Sequence, residues 1–104
     1  MSHHTSASLS LELIQEASTF LEGRVRRTPV ERSDDLSQRL GVDVWLKLEN
    51  LQLTGSFKVR GALFVMHRLF DEGIDHVATC SAGNHGRGVA YAAGKLGMRA
   101  TIFV

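Results

Sequence analysis

The sequence predicts an α/β fold in which helices cover a parallel β-sheet. Along the 104 residues, the apolar positions switch between a spacing of three to four and strict alternation. Three predicted helices are each followed by a glycine, at Gly41, Gly73 and Gly97, which is a common helix stop. After residue 42 the predicted order is strand, helix, strand, helix, strand. Short alternation of this kind is typical of βαβ units.

The first half of the chain is predicted to contain two helices and one strand. Apolar residues recur every three or four positions from Ser10 until Gly23, which predicts the first helix. Ser33 can cap a second, short helix that ends at Gly41, and the basic stretch between the two is expected to be irregular. Residues 42–49 alternate strictly, so we expect a strand of the parallel sheet with one face buried.

The second half is predicted to continue with two helices and two strands. A loop leads into a helix that carries Lys58 near its start. Residues 76–80 then form a short strand, 84–96 a helix and 99–104 a last strand. A buried parallel strand should connect onward to a covering helix, and here none follows. We therefore expect the chain to be the N-terminal part of a longer protein.

Composition and charge favour an ordinary soluble globular protein. The chain is 43% hydrophobic and 22% charged, with 12 basic and 11 acidic residues. This balance gives no reason to expect a nucleic-acid or membrane partner, and no spacing of ligands predicts a metal site. The single cysteine, Cys80, excludes an internal disulfide; we expect it to be buried and the protein to be cytoplasmic. Residues 1–9 are expected to form a disordered tail.

Lys58 is the first candidate for chemistry. It follows a turn in which Thr54 or Ser56 could cap the helix. The partial positive charge of a helix N-terminus disfavours a nearby ammonium and so favours the neutral amine. Schiff-base chemistry needs that neutral amine as its nucleophile. The alternative is a solvated first-turn lysine without a chemical role.

The second candidate is the stretch CSAGNHGRG at residues 80–88, between a predicted strand and helix. Ligands of open parallel sheets bind at this end of a strand, and backbone N–H groups at a helix N-terminus can hold a carboxylate or phosphate. Its glycine order matches neither the dinucleotide-binding motif nor the P-loop. Ser81 has no evident base partner, which disfavours a serine hydrolase. Tight helix–strand packing is the alternative explanation of the glycines.

Together the two stretches resemble the signatures of the pyridoxal-phosphate-dependent threonine/serine dehydratases. These lyases belong to the tryptophan-synthase-β structural family, also called fold type II. Residues 46–52 running into 54–62 match the first signature, and residues 81–90 match the second. Residues 27–30 are similar to the segment that precedes them in the family, and residues 100–102 to its next strand. The resemblance runs in order to the end of the chain.

The resemblance implies a role for each candidate residue. Lys58 would form the Schiff base with pyridoxal phosphate and later take the Cα proton of the substrate. Phe57 would pack against the pyridine ring, and Asn84 would hydrogen-bond its 3′ oxygen. The residues expected to receive the substrate carboxylate are Ser81, Ala82, Gly83, Asn84 and His85. The implied reaction is α,β-elimination, converting L-threonine or L-serine to a 2-oxo acid and ammonia.

Several alternatives stay open. Serine racemases resemble this pattern but carry a second hydroxyl residue where this chain has Ala82, which favours a dehydratase. Sulfhydrylases and threonine synthases are similar in fold but usually have a threonine at the place of His85, which argues against them. Another β-elimination lyase of the same fold is a further alternative. A different class of protein would be a non-catalytic α/β module that binds a small anion at residues 81–88.

The resemblance also implies how much of the protein the chain represents. Family members are much longer, and their phosphate-binding glycine loop and the partner of the pyridine nitrogen lie beyond residue 104. Residues 10–50 would be the N-terminal segment of the large domain, and residues 51–104 the first part of the small cofactor-site domain. We expect the chain alone to be inactive. The full-length protein is expected to be a homo-oligomer acting on a small amino-acid substrate.

Overall fold

The computed structural model describes residues 8–104. The predicted tail at residues 1–9 lies outside this range except for Ser8 and Leu9, which precede the first helix without regular structure. In chain order the helices and strands are α1 (Leu11–Leu21), β1 (Val30–Arg32), α2 (Asp34–Leu40), β2 (Trp45–Lys47), α3 (Lys58–Asp71), β3 (His76–Cys80), α4 (Asn84–Leu96) and β4 (Arg99–Phe103). Two short 3₁₀ turns, Glu49–Leu51 and Leu53–Gly55, connect β2 to α3.

The predicted helices are confirmed, together with several of their end signals. The Ser10 side chain accepts a hydrogen bond from the Leu13 N–H, and the Ser33 side chain caps α2 in the same way. Gly41 and Gly97 end α2 and α4 in the left-handed conformation, with φ of 70° and 72°. Within the described residues, no helix is both long and apolar enough to span a membrane.

β3, α4 and β4 form a βαβ unit at residues 76–103, as predicted. β3 and β4 pair in parallel, from His76 opposite Arg99 to Cys80 opposite Phe103. α4 connects them as the crossover helix. The Ser81 N–H donates to the Phe103 carbonyl at 2.9 Å, which continues the ladder past the end of β3. The loop between β3 and α4 is therefore held at the carboxyl edge of the sheet.

The strand predicted over residues 42–49 is wrong in its length and in its partner. β2 covers only three residues, and it pairs antiparallel with β1, a segment for which the sequence predicted no strand. The Val44 N–H donates to the Ser37 Oγ at 2.8 Å, so it is engaged with α2 rather than with a neighbouring strand. The 3₁₀ turn at Glu49–Leu51 ends the extended segment at its carboxyl end. Alternation indicates an extended segment, but it does not specify which strand will pair with it.

The core lies between α3 and α4, with the end of α1 beside it. Val59 and Ala92 are completely buried, one in each helix of the pair. The buried apolar residues are Leu21, Val59, Ala62, Leu63, Met66, Val89, Ala92, Ala93 and Met98. Because side chains of both helices interdigitate here, the relative position of α3 and α4 is fixed by packing.

The expectation that Cys80 is buried is wrong, since the residue is exposed. Exposure alternates along β3, and His76, Ala78 and Cys80 share the exposed face. α4 packs on β4 and β3 from the other side, so within residues 8–104 only that face is covered. The position of a cysteine in a parallel strand predicts burial only where both faces of the sheet are covered.

Candidate active site

Lys58 is the first residue of α3, and it is exposed. Its backbone N–H donates to the Ser56 Oγ at 3.3 Å, although Phe57 and not Ser56 occupies the N-cap position. Thr54 does not act as a cap: its φ is 65°, and its hydroxyl is buried without a hydrogen-bond partner in the described chain. Gly55 follows at a φ of 82°. Two successive left-handed residues therefore reverse the chain just before Lys58.

Phe57 lies beside the Lys58 amine on the open surface. The residue is 59% exposed, and the Lys58 Nζ is 5.5 Å from the centroid of its ring. An exposed aromatic face next to an exposed primary amine fits a planar, aldehyde-bearing ring, because stacking and Schiff-base formation need these two groups side by side.

The Ser81 hydroxyl closes the turn between β3 and α4. Its Oγ accepts hydrogen bonds from the Gly83 N–H at 3.2 Å and from the Gly86 N–H at 3.0 Å. A serine hydroxyl has two acceptor lone pairs and one O–H donor. Both lone pairs are used within the turn, so the O–H group is the part that can still donate to a bound anion. No pattern in the sequence indicated this second role in holding the turn.

The turn at residues 81–85, called the 81–85 turn below, presents three further donors. Within the described chain, the backbone N–H groups of Ala82, Asn84 and His85 make no hydrogen bonds. All three residues are exposed, and Asn84 and His85 begin the 13-residue helix α4. Free N–H groups at a helix N-terminus, together with the Ser81 O–H, can bind a carboxylate. Gly83 offers no free N–H group, because its own N–H donates to the Ser81 Oγ.

α4 brings the 81–85 turn next to Lys58. Gly88 lies against the backbone of Lys58, where an added Cβ would be 3.2 Å from both the carbonyl carbon and oxygen. Asn84 precedes Gly88 by one helical turn, a rise of about 6 Å. The structure thus brings Lys58, Phe57 and the 81–85 turn to the same end of the α3–α4 pair.

An ion pair anchors the first turn of α3 to the loop that precedes it. Arg60 donates from Nε and Nη2 to the two carboxylate oxygens of Glu49, and the Thr28 hydroxyl donates to Oε2 at 2.6 Å. The Glu49 side chain is only 16% exposed. The hydrogen bonds from Arg60, aided by the one from Thr28, outweigh burial and lower the pKa of Glu49 to about 2. The same pairing raises the pKa of Arg60.

Gln52 fixes the loop that precedes Lys58. The residue is 3% exposed, and its amide donates to the Arg26 carbonyl at 2.8 Å and accepts from the Arg26 N–H at 2.8 Å. It also accepts from the Leu53 N–H at 2.9 Å.

The sequence did not predict the supporting roles of Glu49, Gln52 and Arg60. These residues stood out there only as members of the first family signature. The contacts of Glu49 with Arg60 and of Gln52 with Arg26 join residues 11 and 26 positions apart. No local pattern predicts pairs at such separations, because they depend on how the loop folds back on the preceding segment.

An open cleft among the described residues lies away from the candidate residues. It has a volume of about 630 Å³ and is bounded by α1 and by basic side chains, which include Arg26, Arg27 and Lys47. None of the candidate residues lines it. The chemistry of the exposed amine and the free N–H groups, rather than the size of a cleft, therefore identifies the candidate site. No cluster of three or more metal-binding side chains occurs in the described range.

Comparison with known proteins assigns the family. The sequence model of the family described as "Pyridoxal-phosphate dependent enzyme" matches residues 21–104. The chain belongs to this family. The L-threonine ammonia-lyase of Geobacter sulfurreducens is 47% identical over 97 residues, which are 92% of this chain and 24% of that protein.

Two solved structures show the same likeness. The T.th. threonine deaminase is 42% identical with a TM-score of 0.76, over 88% of this chain and 33% of that one. Maize serine racemase is 38% identical with a TM-score of 0.79, over 88% of this chain and 29% of that one. The chain therefore spans a third or less of each of these three relatives.

These findings confirm three predictions from the sequence: the family, the α/β fold class with its fold type II relatives, and pyridoxal phosphate as the cofactor of the family. The small size of the two sheets agrees with an incomplete fold. The likeness extends to a deaminase and a racemase alike, so the fold does not distinguish their reactions. The roles of the individual site residues stay predictions.

Proposed function

We propose that this chain is the N-terminal portion of an ammonia-lyase that depends on pyridoxal phosphate and acts on L-threonine or L-serine. Residues 10–50 would lead into the large domain, and residues 51–104 would begin the small domain. The observation that carries the proposal is the contact of Gly88 with the Lys58 backbone, which puts Lys58 and the 81–85 turn at the same end of the α3–α4 pair. The name of the Geobacter relative supports threonine as a substrate.

The residues at this end fit the cofactor of the family. Lys58 would hold it covalently, Phe57 would lie against the ring, and the Asn84 amide would hydrogen-bond the ring oxygen. When bound, pyridoxal phosphate supplies an electron sink that stabilises negative charge at the substrate Cα. The described residues contribute the lysine and the ring contact; the phosphate would be held by later segments of the polypeptide.

Lys58 would act a second time as a general base. Once the substrate amine has displaced it, the freed Nζ is a primary amine next to the bound substrate and can take the Cα proton. The β-hydroxyl would leave with a proton as water, and hydrolysis of the remaining carbon–nitrogen bond would yield the 2-oxo acid and ammonia.

The 81–85 turn would orient the substrate by its carboxylate. The donors are the Ser81 O–H and the N–H groups of Ala82, Asn84 and His85, which are free within the described chain. Holding the carboxylate at the end of α4 aligns the Cα–H bond relative to Lys58 on α3. Orientation of this kind is a major part of rate enhancement.

We further propose that the 104-residue chain is inactive alone and that the complete enzyme is a cytoplasmic homo-oligomer. Phe57, Lys58 and residues 82–85 are all exposed, so nothing in residues 8–104 excludes water from the reacting atoms. The mixture of basic and acidic residues and the single cysteine support a cytoplasmic location.

Serine racemase is the second candidate, and its support is the TM-score of 0.79 with the maize enzyme. A racemase must deliver a proton to the opposite face of Cα. At the position where the family resemblance places that acid, this chain has Ala82, and a methyl group carries no transferable proton. The dehydratase is therefore the proposal that the residues favour.

Borohydride reduction tests the proposal against both alternatives. We expect the full-length protein incubated with pyridoxal phosphate to carry a reduced pyridoxyl group on Lys58 and to release 2-oxo acid from threonine. Lys47 and Lys95 serve as internal controls within the same chain. Label only on the controls, or on no lysine, would support a non-catalytic anion-binding module. Release of D-serine from L-serine in place of keto acid would support the racemase.

A further inference from the structure

Gly88 makes an unusually close contact with the backbone of the Lys58 turn. A Cβ built on Gly88 would lie 3.2 Å from the carbonyl carbon and oxygen of Lys58 and 3.3 Å from the backbone nitrogen of Val59. Carbon atoms in favourable contact are about 3.5–4.0 Å apart. All three neighbours are backbone atoms, so no side-chain rotation could make room. A side chain here would have to displace the first turn of α3 by a few tenths of an ångström.

Of the glycines in α3 and α4, only Gly88 lies this close to the backbone of Lys58 and Val59. Gly61 in α3 and Gly94 in α4 are also helical glycines, and a Cβ on either would meet nothing within 4 Å. Gly86 is the other tight position, where a Cβ would lie 3.2 Å from the Ser81 carbonyl oxygen and 3.3 Å from Ile102 Cγ2. α4 therefore touches the 81–85 turn at Gly86 and the Lys58 turn at Gly88.

We propose that Gly88 is a positioning residue of the active site: its missing side chain sets the separation between Lys58 and the 81–85 turn. This inference rests on the proposed function of Lys58. Asn84 and Gly88 belong to the same helix, one turn apart. A rigid helix transmits the spacing at Gly88 directly to the donors at its own N-terminus.

The surroundings tie the residues of the Lys58 turn to one another and to the core, so we expect the turn to move as a unit. Val59 is completely buried directly after Lys58, so the turn is seated in the core. Arg60 is tied to Glu49 on the loop that precedes α3. A Cβ at Gly88 would therefore push the whole turn away from α4 and lengthen the path from the Lys58 amine to a substrate held by the 81–85 turn.

The test compares Gly88→Ala with Gly94→Ala in the full-length protein. Both changes add one methyl group to α4, but only the first meets the Lys58 backbone. We expect Gly88→Ala to fold and to lower kcat for threonine roughly tenfold, since small displacements of reacting groups have effects of this order. The rate of borohydride-trapped pyridoxylation at Lys58, measured relative to Lys95 in the same molecule, should fall as well. Gly94→Ala should match the wild type in both measurements.

The outcomes separate this inference from the proposed function. A wild-type protein that is not pyridoxylated at Lys58 would overturn both. Normal labelling of the wild type, with Gly88→Ala equal to Gly94→Ala in kcat and in labelling, would overturn the role of Gly88 and leave the function standing. Failure of Gly88→Ala to fold would also contradict the inference, because the predicted overlap shifts one helical turn and does not disrupt the core.

Discussion

Ser81 shows how one side chain can serve structure and chemistry together. Its lone pairs accept the N–H groups of Gly83 and Gly86, and its O–H group is left to donate to a ligand. The sequence predicted a carboxylate-binding residue here, but it could not predict the first role. That role depends on the backbone directions of two later residues, which exist only once the turn has formed.

We expect Ser81→Ala to weaken substrate binding more than it slows the reaction. The change removes one donor to the carboxylate and releases the two N–H groups that the hydroxyl holds. Loss of a hydrogen bond to a charged group corresponds to roughly a ten- to hundredfold rise in KM for threonine. Steady-state kinetics of the full-length enzyme measure this, with Ser33→Ala at the distant α2 cap as control. A lower kcat at unchanged KM would contradict the assignment.

Ala82 is the residue that we expect to separate elimination from racemisation. Ala82→Ser would supply a hydroxyl that can exchange a proton on the opposite face of Cα, so D-serine should form from L-serine above the wild-type level. Chiral chromatography of the products measures the amount of D-serine. Ala82→Gly is the matched control, because it changes the size of the residue without adding a hydroxyl. Equal D-serine from all three proteins would show that Ala82 does not decide the outcome.

At the scale of elements, helices were predicted more completely than strands. Helix ends are set by residues close in sequence, such as the caps Ser10 and Ser33 and the stop at Gly97. The local sequence is therefore enough to predict where a helix begins and ends. The pairing of β1 with β2 is set by contacts between residues 13 to 17 positions apart. The Glu49–Arg60 pair likewise depends on how the loop places two distant side chains. Neither follows from local periodicity.

The Glu49–Arg60 pair predicts a pH dependence of stability. Folding lowers the pKa of Glu49 from 4.5 to about 2, so the stabilisation is complete above pH 4.5 and is lost as the pH falls towards 2. The shift corresponds to at most about 3 kcal/mol. We expect Glu49→Gln to reduce the free energy of unfolding at neutral pH and to flatten its decrease between pH 4.5 and 2. Denaturant unfolding across this range measures both effects.

The control for this prediction is the exposed ion pair between Arg39 and Asp35 on α2. Both side chains are at least 70% exposed, and such pairs contribute little to stability. Asp35→Asn should leave the free energy of unfolding and its pH dependence close to those of the wild type. If Glu49→Gln and Asp35→Asn behaved alike, the partly buried Glu49–Arg60 pair would not be the anchor of α3 that its geometry indicates.

At the scale of the whole molecule, the candidate site lies on an open surface. The chain spans 24% of the Geobacter ammonia-lyase and 33% of the T.th. threonine deaminase. Lys58 and residues 82–85 are exposed, and one face of β3 is uncovered within residues 8–104. In the proposed reaction the described residues would supply the lysine and the carboxylate donors, and the reaction also needs a phosphate site and exclusion of water.

We therefore expect the 104-residue chain to release no 2-oxo acid from threonine when it is mixed with pyridoxal phosphate, whereas the full-length protein should do so. The coupled assay of 2-oxo acid formation compares the two at equal concentration, with circular dichroism showing that both are folded. Turnover by the folded 104-residue chain would overturn the proposal that it is inactive alone.

The most direct test of the central claim is the rate of threonine elimination by Lys58→Ala in the full-length enzyme, set against Lys95→Ala. Lys95 lies in the last turn of α4, away from the 81–85 turn, and its loss should leave the rate unchanged. We predict that Lys58→Ala lowers kcat about 10²–10⁴-fold, which is the contribution typical of a positioned general base. A Lys58→Ala enzyme that kept the wild-type rate would contradict the proposed role of this lysine.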